Sequence, residues 1–214
     1  MAKYCLSFLL ILLSIFSLLS TVEPSFLGHT ARRSRARANI EAACKGTLYQ
    51  KLCVHCLTTY VQPNMTTQSP QELAHVALTA SLYRALYARA FVLKVAKDID
   101  ILKRENQVVR DCFQQISDSV DQLSGSIKEL RRLGKETVGD DLFWHISNVE
   151  AWVGTALTDA CTCVDELPGP HMSKLKATIK GKVLNVAQTA SNALFLFHRF
   201  AARYKAAASK TKKP

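Results

Sequence analysis

The side chains best suited to chemistry in these 214 residues are seven cysteines. Two of them stand in the run Cys53-Val54-His55-Cys56. A CxxC can be a redox centre, or half of a zinc site that Cys161, Cys163 or His55 would complete. Redox pairs of this kind normally follow a strand in a βαβ unit, and no such pattern surrounds this one. A structural bridge or a buried free thiol is the expected state of Cys56. The histidines, at positions 29, 55, 75, 145, 171 and 198, are scattered. No HExxH, GxSxG, GxGxxG or P-loop occurs. The acidic pairs Asp140-Asp141 and Asp165-Glu166 flank expected helix ends, where capping or a solvated surface is the ordinary role, and Asp140-Asp141 suits a helix N-terminus electrostatically. No acid–base or nucleophile constellation emerges. The expectation is therefore no catalytic residue, no cofactor, no metal, and a function exercised by binding.

What the thiols become depends on compartment. Residues 6–20, LSFLLILLSIFSLLS, form an apolar run behind Lys3. A run of about 15 residues fits a secretory leader better than a membrane span, which needs ~20. Small residues follow at Ser20, Thr21 and Ser25, so 1–25 reads as a signal peptide and the mature chain as secreted, with no membrane segment. Cys5 leaves with the leader. The other six, at 44, 53, 56, 112, 161 and 163, sit where disulfides survive. Counting alone leaves many pairings open. A turn at Gly46-Thr47 would fold Cys44 and Cys53 into reach, and antiparallel neighbours could join Cys112 to Cys163. Closing a loop of about ten residues contributes roughly 2.7 kcal/mol, and one of about fifty roughly 4 kcal/mol. The formal net charge of +11 gathers at Arg32–Arg37, Lys128–Lys135 and Lys205–Lys213. Export argues against nucleic acid as the partner. An acidic polysaccharide or acidic protein is the natural counter-charge outside the cell.

Glycine and proline are scarce, and helix formers fill the chain beyond Thr66. The chain reads as all-α. Residues 26–39 are a basic, polar stretch expected to be a disordered arm. Residues 40–66 hold a helical hairpin and linker, with the sequon Asn64-Met65-Thr66 as a candidate glycosylation site. An up-down-up-down four-helix bundle follows over 67–204, then a frayed basic tail over 205–214. The first bundle helix opens on a capping box, Ser69-Pro70-Gln71-Glu72, and could reach Leu102. Its expected buried stripe is Leu73, Val76, Ala80, Tyr83, Tyr87 and Ala90. The second helix, about Glu105 to Leu133, carries Val109, Cys112, Ile116, Val120, Leu123, Ile127 and Leu130 at near-heptad spacing. The third, about Asp140 to Glu166, turns Phe143, Ile146, Val149, Val153, Leu157 and Val164 inward, and Pro168-Gly169-Pro170 ends it. The fourth starts near Ser173 and carries Leu175, Ile179, Val183, Val186, Ala190, Leu194 and Phe197. At this spacing Tyr83, Tyr87, Phe143 and Phe197 read as core.

Several segments resemble the plant invertase/pectin methylesterase inhibitor family, in the right order and over nearly the whole mature chain. Ile40-x3-Cys44-x3-Leu48-Tyr49-x3-Cys53-x3-Leu57 is similar to that family's opening helical hairpin. Asp111-Cys112 with Ser119-Val120-Asp121-Gln122-Leu123 is similar to its "DC…DAVDxL". The most specific stretch runs from Val149 through Trp152 and Thr158 to Thr162-Cys163-Val164-Asp165. It resembles "V-x-T-W-x-S-A-A-L-T…D-T-C-x-D-G-F". Thr189, Ser191, Asn192, Ala193 and Leu194 match the last helix. The resemblance implies a disulfide-closed hairpin on a four-helix bundle, with bridges Cys44–Cys53 and Cys112–Cys163. It also implies a non-enzymatic, secreted apoplastic inhibitor that binds a cell-wall enzyme one-to-one and blocks its cleft. The family's invertase branch carries a Pro-Lys-Phe element before the third bundle helix. Here Val138 to Trp144 lacks it, and WHISNVEAW resembles the 21 kDa-type, pectin methylesterase-inhibitor-like subgroup. Pectin methylesterase is the expected target, with acid invertase the alternative and acidic pectin a possible further partner through the basic surface. A secreted helical carrier of lipid or metal is a third reading, which the Ala-rich stretch Ala74–Ala90 allows. Two departures stand out. Cys56 replaces a family Ser, and Cys161 replaces the family Asp before Thr162-Cys163. Together they raise the expectation of a third bridge, Cys56–Cys161.

Overall fold

The computed structural model describes residues 24–60, 69–98, 107–133, 140–167 and 173–211. Residues 1–23 of the signal peptide expected over 1–25, and the sequon at Asn64, lie outside these. The chain divides into two compact units, Met1–Asn39 and Ile40–Pro214. In the first, residues from Pro24 onward are helical, the opening of α1 (Pro24–Cys44). This corrects the disordered arm expected over 26–39. Apart from Ser34, residues 31–37 are all Ala or Arg, both strong helix formers. The stretch has no apolar stripe, so periodicity gives no hint of it.

In the second unit α1 ends at Cys44 and the chain reverses. Gly46 takes φ 98°, a conformation L-residues rarely adopt, and a Cβ there would lie 3.2 Å from the Phe195 ring. Thr47 donates to the Cys44 carbonyl from both its amide (3.1 Å) and its hydroxyl (2.8 Å), satisfying an orphan acceptor at the helix end. Helix α2 (Gln50–Tyr60) returns, and Cys44 and Cys53 are bonded with their Cα atoms 5.8 Å apart.

Four longer helices follow: α3 (Pro70–Asp98), α4 (Gln107–Arg132), α5 (Asp140–Glu166) and α6 (Lys174–Thr211). The capping box forms, with the Glu72 amide 3.1 Å from Ser69 Oγ and the Ser69 amide 2.7 Å from Glu72 Oε2. Ser173 caps α6 through the Lys176 amide. Helix α6 runs to Thr211, so residues 205–211 of the tail expected to fray are helical; Ala206, Ala207 and Ala208 favour it. Contacts close a ring, α3 on α4, α4 on α5, α5 on α6 and α6 on α3, while α2 packs on α3 and α6. Each neighbouring pair is antiparallel. Gln71 at the start of α3 reaches the Leu130 carbonyl at the end of α4. Lys180 near the start of α6 reaches the Leu167 carbonyl after α5. The architecture is an all-α, up-down-up-down bundle carrying a helical hairpin.

The stripe expected on α4 is buried in full, from Val109 to Leu130. On α3 the expectation is partly wrong. Leu73 and Ala80 are buried, but Tyr83 and Tyr87 are 57% and 63% exposed and Ala90 is exposed. The buried face is Ala74, Ala77, Leu78, Ser81, Ala85, Ala88, Val92 and Val95. Helices can approach closely across alanines, and the bulky tyrosines are turned out. Along α5 the core passes to Ala156, Ala160, Cys163 and Leu167 in place of Leu157 and Val164, and Phe143 is half-buried. Phe197 is fully buried. By length and composition Pro70–Ala96 is apolar enough to cross a membrane. Here its alanines and valines form part of the bundle core.

Candidate docking face

The outward side of α5 carries a stripe of uncharged residues, small except for one tryptophan. Trp144, Ser147, Ala151, Thr155, Thr158 and Thr162 recur at three- and four-residue spacing and are all exposed. Trp144, at 67% exposure, ends the stripe with a large uncovered ring. The hydroxyls of Thr155, Thr158 and Thr162 donate to the carbonyls of Ala151, Gly154 and Thr158, each at 3.0 Å. A partner therefore meets hydroxyls already satisfied within the helix, and little polar desolvation opposes contact.

An acidic margin runs beside the stripe. Helix α5 carries six Asp and Glu and no Lys or Arg, in a chain of net charge +11. Gln115 of α4 donates to Glu166 (3.2 Å) and Gln114 to Asp118 (3.0 Å). Burial, and then the nearby Asp118 charge, push the Asp159 carboxyl above its usual range. Cys161 lies exposed on the same helix. Burial and the Asp165 charge raise its pKa, so a neutral thiol stands where the resembling motif has a carboxylate.

Three supports hold this face rigid. Cys112 and Cys163 are bonded, joining the start of α4 to the end of α5. Trp152 lies on Gly125, where an added Cβ would sit 3.1 Å from the indole. The family-motif Trp is thus a packing residue against a close helix approach. At the other end Glu129 is buried and holds three partners. His145 Nδ1 lies 2.6 Å from its carboxylate, Asn148 Nδ2 donates at 3.0 Å, and the exposed Arg132 guanidinium donates at 3.2 Å. Burial pushes the Glu129 carboxyl up. The hydrogen bonds from Asn148 and His145 and the His145 and Arg132 charges outweigh it, so the group titrates below its ordinary value.

Of the residues singled out in the sequence, Thr158, Cys161 and Asp165 are exposed toward the end of α5, while Trp152 is half-buried beneath. The third bridge is not formed. Cys56 is buried beside a void of about 10 Å³ lined by Ala77, Ala80 and Thr189, whereas Cys161 sits on the exposed side of α5. Helix α2 packs on α3 and α6, so the two thiols belong to different sides of the molecule. Burial pushes the Cys56 thiol up, against the opposing charge and hydrogen bond of Arg84. Among the described residues no three His, Cys, Asp or Glu side chains gather as a metal site. Sequence reasoning gave no role to Glu129 or His145, which lack a motif. It quoted Asn192 without its task. Asn192 is buried, accepts from the Tyr49 amide (3.3 Å) and donates to the Tyr49 carbonyl (3.0 Å). Arg199 donates to the Ala43 carbonyl at 2.7 Å. Both fasten the hairpin to α6.

The family model described as plant invertase/pectin methylesterase inhibitor matches residues 38–196. The chain belongs to this family. It is 41% identical to pectinesterase inhibitor 9 of Arabidopsis thaliana, over 91% of this chain and 93% of that one. It is 37% identical to the 21 kDa protein of Daucus carota, over 82% and 91%. A crystal structure of a mutant form of a pectin methylesterase inhibitor from Arabidopsis superposes with a TM-score of 0.58 at 17% identity, over 74% of this chain and 95% of the other. That likeness shows the shared fold. As a member of an inhibitor family the protein is not an enzyme.

Proposed function

We propose that the protein is secreted to the cell wall and inhibits pectin methylesterase by docking one-to-one through the outward face of α5, covering the enzyme's substrate cleft. The observation that carries this reading is the uncharged stripe from Trp144 to Thr162, held on helices stapled by Cys112–Cys163. A preformed helical surface loses little ordering entropy on docking. An exposed Trp at its end has the character of an interface anchor. The basic remainder of the molecule suits acidic pectin as a second partner. Titrating purified plant pectin methylesterase with the mature protein tests the reading. Methanol release should fall to completion at molar equivalence, and undiminished release at molar excess would refute it. Sucrose hydrolysis by acid invertase, measured in parallel, distinguishes the other branch of the family. Thr158→Arg places a long charged side chain in the middle of the stripe. It should weaken inhibition at least tenfold, ~1.4 kcal/mol or more, with unfolding unchanged. Cys161→Asp restores the carboxylate of the family pattern and should strengthen inhibition.

A further inference from the structure

Aromatic rings line up on the side of the molecule built from α2, α3 and α6. Tyr60 at the end of α2 stacks on Tyr83 of α3, with ring centroids 5.9 Å apart and planes 5° from parallel. Tyr83, Tyr87 and Phe91 follow one another at four-residue spacing on α3, about 6 Å per step. Lys182 of α6 reaches across and places its ammonium 4.3 Å from the Tyr87 ring centroid and 4.7 Å from that of Phe91. The three tyrosines remain exposed. The surrounding charge has one sign. Helix α2 has no acidic residue, and α3 has none between Glu72 and Asp98 but carries Arg84, Arg89, Lys94 and Lys97. Helix α6 carries eight Lys and Arg and no acid.

We infer that this ladder binds a polyuronate chain, of which de-esterified pectin is the cell-wall example. A uronate sugar has an apolar C–H face that can lie on an aromatic ring, and a carboxylate that needs a cation beside it. Rings one helical turn apart, with a lysine between two of them, present both along a line. Tyrosine adds a hydroxyl at the rim for sugar hydroxyls. The site deepens the acidic-pectin reading and is independent of the docking face on α5. It would keep the inhibitor where carboxylates have been uncovered.

Calorimetric titration of the mature protein with a short de-esterified galacturonate oligomer tests the inference. The same oligomer fully methyl-esterified, and a single-stranded DNA of similar charge, serve as comparisons. Binding should weaken with salt and fall at least tenfold on methyl esterification. The double variant Tyr83→Ser/Tyr87→Ser, and separately Lys182→Met, should each weaken it at least tenfold. Tyr83 and Tyr87 are exposed and Lys182 is half-buried against them, and inhibition of methanol release should be unchanged. Absence of binding by the unaltered protein, or variants that bind as well as the parent, would overturn the inference. So would equal affinity for the methyl-esterified oligomer or for DNA. Parallel loss of inhibition in the tyrosine variant would overturn it too, by assigning the ladder to the enzyme. Failure of the unaltered protein to inhibit any esterase, with oligomer binding intact, would support the ladder and sink only the docking reading.

Discussion

Replacing Glu129 by alanine should be among the most costly single changes available in this bundle. Glu129 is 4% exposed and joins the end of α4 to the start of α5. Two of its three partners, His145 and Asn148, are themselves partly buried. The third, Arg132, is 68% exposed, and solvent reduces its share to nearly nothing. Two hydrogen bonds to a charged acceptor at roughly 1.5 kcal/mol each give about 3 kcal/mol. The orphaned donors of His145 and Asn148 raise the cost within the ~3–5 kcal/mol seen when a buried pair loses one member. At ~2–4 °C per kcal/mol for a chain of this size, the melting temperature should drop by about 6–20 °C. Glu129→Gln keeps the volume and one acceptor and should lose roughly half as much. The pH dependence has a definite sign. The folded carboxyl titrates below its ordinary 4.5, so its contribution is present above that value and lost as pH falls through the folded one. Circular-dichroism melts of parent and both variants at neutral and strongly acid pH measure this. A loss below ~1 kcal/mol for the alanine variant, or a glutamine variant equally inferior in strong acid, would refute the reasoning.

Other perturbations read different parts of the fold. Replacing Cys112 and Cys163 together by alanine opens the longer loop and should cost roughly 4 kcal/mol in urea titrations, against roughly 2.7 kcal/mol for Cys44 with Cys53. Asp159→Asn should stabilise the protein at neutral pH. The folded carboxyl is held above its ordinary 3.8, so stability declines as pH rises through that window. The gain should vanish below it, and urea midpoints at both pH values measure the difference. Gly46→Ala places a Cβ at positive φ and against Phe195, and should cost about 1–2 kcal/mol in the same titrations.

The parts of this architecture that were legible in the sequence are those where large aliphatic residues repeat. The α4 stripe from Val109 to Leu130 is carried by large aliphatics at nearly every turn, and the one bulky ring off it, Phe113, is half-buried beside it. Helix α3 defeats the same reasoning. Its buried face is mostly alanine and serine, which carry a weak hydrophobic signal. Tyr83 and Tyr87 carry a strong one at identical spacing, displaced by about one residue around the helix. The period is right and the phase is wrong, because size was read as burial. Glu129 and His145 are sixteen positions apart on two helices, and nothing local marks either. The hairpin clamp by Asn192 joins residues 143 positions apart. The motif that contains Asn192 is visible, but its purpose appears only when α6 packs beside the turn.

The misread tyrosines also bear on how the molecule divides its work. A core helix gains from burying aromatic rings, at roughly 25 cal/mol per Å² of apolar surface, and α3 forgoes that gain at two successive turns. Alanine fills the positions where α3 meets its neighbours, which allows close approach and leaves the rings on the outside. The charges are sorted along the same division. Helix α5 carries only acids and α6 only bases, and the two pack side by side, with Lys205 paired to Glu150 at 2.9 Å. On α6, Lys176 with Lys180 and Arg199 with Arg203 stand four residues apart, where like charges repel. Sorting acids to one helix and bases to another therefore has a local cost along α6. What it provides is two surfaces of opposite sign on one rigid body. An acidic, hydroxyl-lined face and a basic, aromatic one need not compete for the same partner, and a change to either can be made without moving the other.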